Sequence, residues 1–130
     1  MANPNIVNVS SIFANTTYLT PSVTTAVVLL PNAAASNKVL KINQIVVANT
    51  TGIAANTTVS IYTNGAVAQG SAPSGGTAFS IVSGVPVPGS ASLIVVDKST
   101  GIYLQEGVSI VVTSGTASAL TYSISYEDIS

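Results

Sequence analysis

Turn-forming residues recur along this chain at intervals that leave room only for short strands between them. Pro31-Asn32, Asn49 to Gly52, Asn64-Gly65, Pro73 to Gly76, Pro86 to Gly89, Ser99 to Gly101, Glu106-Gly107 and Ser114-Gly115 punctuate it. Such residues supply positive φ, a fixed φ, or a side chain that bonds its own backbone. The segments they separate are rich in Val, Ile and Thr. That spacing predicts an all-β chain forming an antiparallel sandwich or barrel, without βαβ units. No segment carries a 3.6-residue apolar stripe, and Ala33-Ala34-Ala35 is too short to nucleate a helix.

The last strand is the clearest. Leu120, Tyr122, Ile124 and Tyr126 alternate with Thr121, Ser123, Ser125 and Glu127, so one face is core and the other is wet. Val108, Ile110 and Val112 repeat the pattern, interrupted at Val111. From Leu40 to Ala48 the alternation starts with Leu40 and Ile42 inward, then changes phase at Ile45-Val46-Val47. A bulge near Gln44 produces such a change, and so does a strand buried on both faces. Val59 and Ile61, Phe79 and Ile81, and Leu93 to Val96 supply further strands. Asn64-Gly65 fits a two-residue hairpin turn joining Thr58–Thr63 to a short strand over Ala66–Gln69.

Residues 1–20 read differently. Ile6, Val7, Val9, Ile12, Phe13, Tyr18 and Leu19 are apolar without sustained alternation, between Pro4 and Pro21. The stretch is an N-terminal arm, added to the sheet or laid on a neighbouring subunit, or else the first strand of a single β-sandwich domain over 21–130. As an arm it makes Ile6, Val9, Ile12, Phe13, Tyr18 and Leu19 the candidate assembly residues.

Charge is what the chain lacks. Only Lys38, Lys41, Lys98, Asp97, Glu106, Glu127 and Asp128 are charged among 130 residues, and histidine, cysteine, arginine and tryptophan are absent. Roughly a quarter of the residues of a soluble domain are normally charged. Three lysines cannot neutralise a run of phosphates, so neither nucleic acid nor an anionic membrane is expected as a partner. Without thiolate or imidazole, no structural metal or cofactor is expected. A serine nucleophile would lack its usual base, no Ser-x-x-Lys spacing occurs, and the adjacent Glu127 and Asp128 point to opposite faces of a strand. The chain therefore reads as non-catalytic.

The Gly-rich stretch Gln69 to Gly76 lacks the lysine and following helix of a phosphate cradle, and reads as a surface loop. Asn15-Thr16-Thr17, Asn49-Thr50-Thr51 and Asn56-Thr57-Thr58 match the N-glycan acceptor pattern, but the first residues show no cationic segment followed by an apolar run, so no secretory signal is expected. The longest apolar run, Ala26 to Leu30, falls far short of the ~20 residues of a membrane helix. Synthesis in the cytosol, or assembly there into something that leaves, is expected. Five tyrosines offer rings for sugar stacking, a reading that exposed ones lining one groove would favour.

Four segments carry a family resemblance: Lys38 to Asn49; Val85-Pro86-Val87-Pro88 leading into Leu93 to Lys98; Gly101-Ile102-Tyr103-Leu104-Gln105-Glu106-Gly107; and the ending Ile124-Ser125-Tyr126-Glu127-Asp128-Ile129-Ser130. Over residues 38–130 the chain resembles small virion structural proteins of tailed phages, cyanophages among them. Its most specific parts are the Tyr-Leu-x-Glu-Gly turn and the Ser-Tyr-Glu-Asp-Ile-Ser ending, and it departs from its relatives at Val108, where they often carry an acidic residue. The resemblance implies a jelly-roll-like β-sandwich of the virion, most simply a capsid decoration (cement) protein. Neck, collar and tail components share the fold, and a sugar-binding module on a fibre is a further reading. As partners it implies further copies of the same chain, a homotrimer at threefold positions, and the major capsid protein or another virion protein. At Glu106-Gly107, glycine is expected to supply positive φ, with the carboxylate solvated or accepting turn amides.

Overall fold

The computed structural model describes residues 7–130. Among them the chain forms β1 (Ile12–Leu19), β2 (Val27–Asn32), β3 (Val39–Asn49), β4 (Ala55–Tyr62), β5 (Ala78–Val87), β6 (Ser92–Val96), β7 (Ile102–Leu104), β8 (Val108–Ser114) and β9 (Leu120–Ile129). A 3-10 turn, Lys98–Thr100, separates β6 from β7. One sheet has the order β1-β9-β3-β6, with β7 also paired to β3, and the other has the order β2-β8-β4-β5. Every pairing is antiparallel. The two sheets pack face to face as a β-sandwich. The stretch read as arm or first strand is, over Ile12–Leu19, the edge strand of the first sheet, while Ile6 lies outside the described residues.

Alternation places the core. In β9, Leu120, Tyr122 and Ile124 are buried while Thr121, Ser123 and Ser125 are half-buried. In β3 the register against β9 shifts between Ile42 and Gln44, so Asn43 is the extra residue of a bulge at the position expected from the sequence. Leu40 and Ile42 before it, and Ile45 and Val47 after it, consequently all face the core.

β2 has no alternation because both its faces are covered. Val27, Leu29 and Leu30 join the main core, helped by a register shift between Val28 and Leu30. Val28 turns to the other side and forms a second cluster with Tyr62 and Val111, against which Val67 packs. Residues 63–77 thus close over the outer face of the second sheet. The Tyr62 hydroxyl accepts the Gly76 N–H at 3.0 Å, which fixes this flap at its far end.

That arrangement corrects the reading of Asn64-Gly65. The hairpin partner of β4 is β5, reached through residues 63–77, and no strand forms over Ala66–Gln69. Gly65 has no positive φ; a Cβ there would collide with the Asn32 carbonyl oxygen, so close backbone packing requires the glycine. β5 also runs straight through Pro86, where the sequence reads as a turn, because an edge strand needs no N–H on its outer side.

Three uncharged side chains bind sheet to sheet. Buried Asn32, at the end of β2, donates through Nδ2 to the Lys38 and Leu104 carbonyls, each at 3.0 Å, and accepts the Ser36 hydroxyl at 2.6 Å. Buried Asn49, at the end of β3, donates to the Ile53 and Val87 carbonyls at 2.8 and 2.9 Å and accepts the N–H and hydroxyl of Thr51. Tyr122 crosses the core to donate to the Thr113 carbonyl at 3.0 Å, which leaves its oxygen to accept the Thr57 hydroxyl at 2.6 Å.

Candidate assembly surface

A β-sandwich has four sheet edges, and an exposed edge is a template for unwanted pairing unless something blunts it. Three edges here are blunted. Along β2, Gly70 N–H donates to the Val28 carbonyl at 2.8 Å and Val28 N–H to the Ser71 carbonyl at 2.9 Å, so the flap occupies that edge. β5 carries Pro86, a positive φ at Gly84 and two register shifts against β4. On the edge beyond β3, β6 and β7 are only 5 and 3 residues long, and the Asp97-Lys98 turn divides them.

β1 carries none of these devices along most of its length, and the flap reaches it only near its end, where the Gln69 amide donates to the Thr17 hydroxyl at 2.9 Å and to the Tyr18 carbonyl. Its 8 residues, Ile-Phe-Ala-Asn-Thr-Thr-Tyr-Leu, include no charge, proline or glycine, and each pairs with β9 without a register shift. Ser11 and Ser130 exchange both backbone hydrogen bonds, at 3.1 and 3.0 Å. Hydrogen-bonded and non-hydrogen-bonded pairs alternate along an antiparallel ladder, so the N–H and C=O groups of Ile12, Ala14, Thr16 and Tyr18 point away from β9. Tyr18 bears this out, since its carbonyl accepts the Gln69 amide at 3.4 Å. Among the described residues no strand pairs with β1 on that side.

Side chains follow the same register. Ile12, Ala14, Thr16 and Tyr18 lie on the outer face of the first sheet, where Thr16 and Ser125 hydroxyls meet at 3.0 Å. Ile12 is 55% exposed and Tyr18 72%. Phe13, on the opposite side of the strand, is 63% exposed. Leu19 is half-buried and packs against the main core, and Val9 is half-buried ahead of the strand. Further along the outer face, Val46 lies beside Ile94, and Tyr103 beside Lys41; Ile94 and Tyr103 are both exposed. Sequence reading missed Val46, Ile94 and Tyr103, because only register reveals that strands so far apart in sequence share one face.

The charged groups are mostly engaged at short range. Lys38 pairs with Asp128 at 3.1 Å and Lys41 with Glu127 at 4.0 Å, tying the start of β3 to the end of β9. Asp97 caps the 3-10 turn, accepting from the backbone and hydroxyl of both Ser99 and Thr100. These bonds, that of the Ser99 hydroxyl foremost, hold its carboxyl below its usual range. Gly107 does adopt positive φ, at 76°. Glu106 is buried, and its carboxylate reaches past its own turn to accept the Asn37 N–H at 2.8 Å and the Ala35 N–H at 3.2 Å. It thereby holds a loop containing two non-glycine residues with positive φ, Ala35 and Asn37. The carboxylate is thus shielded from solvent and accepts amides of the 35–37 loop.

The tyrosines do not gather into one groove. Tyr122 is in the core and Tyr62 beneath the flap, while Tyr18 and Tyr103 stand on opposite edges of the first sheet. Of the glycan-pattern asparagines, Asn49 has its amide committed to the Ile53 and Val87 carbonyls. Comparison of the chain with protein-family models, with curated proteins and with solved structures returns no match.

Proposed function

We propose that this protein is a structural subunit of a phage virion, working as a homo-oligomer that decorates and reinforces the capsid through uncharged contacts. The phage assignment comes from the resemblance over residues 38–130, as does the threefold arrangement of copies. The observation that supports an assembling role is β1: an uncharged, unblunted edge bearing exposed Ile12, Phe13 and Tyr18 on a chain whose other edges are closed. We also read the strand order as that of a jelly roll, since β1 pairs with β9, β2 with β8, β3 with β6 and β7, and β4 with β5, the order obtained by folding one long hairpin over on itself. That architecture is common among capsid proteins.

The test is binding of the purified protein to purified heads that lack it, by co-sedimentation from low to molar salt. Saturable binding that persists at high salt and raises the temperature at which the heads rupture is expected. Binding to isolated necks or tails alone would replace decoration by a role there, and binding to none of them would overturn the virion assignment.

A further inference from the structure

We infer that β1 is the contact through which two copies of this chain join, edge to edge about a twofold axis, with the first sheets of both copies merging into one continuous sheet. The inference rests on the assembling role proposed above and names its surface.

The occupant follows from the edges themselves. Within a second copy, the edges of β2 and β5 and the edge shared by β6 and β7 are obstructed by the flap, by Pro86 and bulging, and by short divided strands respectively. The edge that β1 can meet is therefore another β1, and a contact of one patch with itself is a twofold contact. β1 suits that role because it carries no charge, so no like charges are brought together when it faces itself.

Geometry then selects the register. For the outer faces of the two sheets to be continuous, a residue on the outer face must sit opposite another on the outer face. Asn15 opposite Asn15 of the second copy meets this condition. It sets Ile12 opposite Tyr18 and Ala14 opposite Thr16, so that all of the outward-pointing backbone groups of Ile12, Ala14, Thr16 and Tyr18 find partners. The exposed Ile12 and Tyr18 side chains become a β-branched–aromatic cross-strand pair, repeated by the twofold. The Tyr18 carbonyl keeps a second lone pair for Gln69. Centring on Thr16 instead moves Ile12 out of the strand pairing and puts Ala14 opposite Tyr18. A twofold edge contact coexists with a threefold one elsewhere, joining one trimer to the next.

The chain has no cysteine, so a single introduced one is a clean reporter. Asn15 would face its own copy as a non-hydrogen-bonded pair, whose close Cα atoms suit a disulfide. Asn15→Cys is expected to give a covalent dimer on mild oxidation, and Thr16→Cys markedly less. Sedimentation of the cysteine-free protein should show a twofold self-association that Thr16→Pro and Thr16→Lys remove, leaving nothing larger than a threefold unit. The Thr16 N–H points away from β9, so the proline spares the native ladder, and the lysine variant stands in should the proline unfold the strand. A monomer at millimolar concentration, or an oligomer that both Thr16 variants leave intact and Asn15→Cys fails to cross-link, would overturn the edge contact. Preferential cross-linking of Thr16→Cys would overturn the register. The head-binding assay is read separately: an unmodified protein that binds heads yet stays monomeric refutes the edge pairing and leaves the decoration role standing, whereas a cross-linked dimer that binds no virion part refutes only the latter.

Discussion

At the scale of single residues, amides and hydroxyls do in this protein much of what ion pairs do in others. Asn49 uses its amide and its oxygen while buried, so Asn49→Ala leaves the buried Val87 carbonyl without its partner and removes the part-buried bonds that hold the Thr51–Ile53 turn. The expected loss is about 2–3 kcal/mol, read as a shift in the denaturation midpoint at unchanged slope. Tyr122→Phe keeps the shape and removes the Thr57 and Thr113 contacts, for about 1–1.5 kcal/mol by the same measurement. Titration follows from the same groups. The Asp97 carboxyl is held low by Ser99 and Thr100, so its contribution is complete above the ordinary carboxyl range and is lost as pH falls through the lowered value, below about pH 4. Burial pushes the Tyr122 hydroxyl up against the opposing Thr57 bond, and burial followed by the Asp128 charge pushes Tyr126 up against Lys38. Their contributions are complete below about pH 10 and are lost as pH rises beyond it. With no histidine or cysteine between these limits, the melting temperature is expected to be level from about pH 6 to 8 and to fall toward both extremes. A drop of several degrees within that range would contradict this.

At the scale of elements, a strand was legible in the sequence to the degree that its two faces meet different surroundings. β9 puts one face in the core and leaves the other half-buried, in β8 the alternation breaks at Val111 because that residue joins the cluster under the flap, and the phase change in β3 is readable because the Asn43 bulge leaves apolar residues on both sides of it in opposite phase. β2 was not legible. Val27-Val28-Leu29-Leu30 has a core on one side and the flap on the other, and an unbroken apolar run carries no period. Nor was β7, whose 3 residues are too few to alternate. Asn64-Gly65 misled because the dipeptide that favours a hairpin turn is also one that lets two backbones touch. That use of glycine is open to test. Gly65→Ala drives a Cβ into the Asn32 backbone and is expected to cost about 2–3 kcal/mol or more, whereas Gly52→Ala, with open space around it, should change stability by less than about 0.5 kcal/mol. Equal effects in thermal unfolding would show that the flap shifts to accommodate a methyl group.

At the scale of the whole molecule, the first described strand lies against the last, yet only part of it belongs to the core. β1 is held by its ladder to β9, by hydroxyl pairs such as Thr16 with Ser125, and by Leu19 against the core, while Ile12, Phe13 and Tyr18 remain exposed. The candidate surface was legible in the absence of alternation over residues 6–19: apolar side chains on both sides of one strand suit an edge with water, or a partner, all around it. The outer-face residues Ile94 and Tyr103 were not, since their strands read as ordinary half-buried ones. Deleting residues 1–19 tests what β1 contributes. Pro21, whose carbonyl accepts the Ser118 N–H, is retained, and the new edge, β9, carries Glu127 and Asp128 near its end, charges of the kind that discourage pairing. The shortened chain is therefore expected to keep its β-sheet circular dichroism and cooperative unfolding, to melt several degrees lower for want of the β1 ladder and Leu19, and to lose the twofold self-association. An unfolded product would make β1 an integral strand and remove the basis for treating it as an assembly element. For the full chain, an interface built from β1 contains no charged side chain, and the exposed ion pairs nearest to it contribute little. Raising salt from about 0.1 M to 1 M shortens the screening length from about 10 Å to 3 Å and so weakens association that depends on charge, while leaving backbone ladders and apolar pairs nearly untouched. The dissociation constant measured by sedimentation should accordingly change by less than about threefold over that range, and a much larger weakening would place the contact on the lysine-bearing surface around Lys38 and Lys41 rather than on β1.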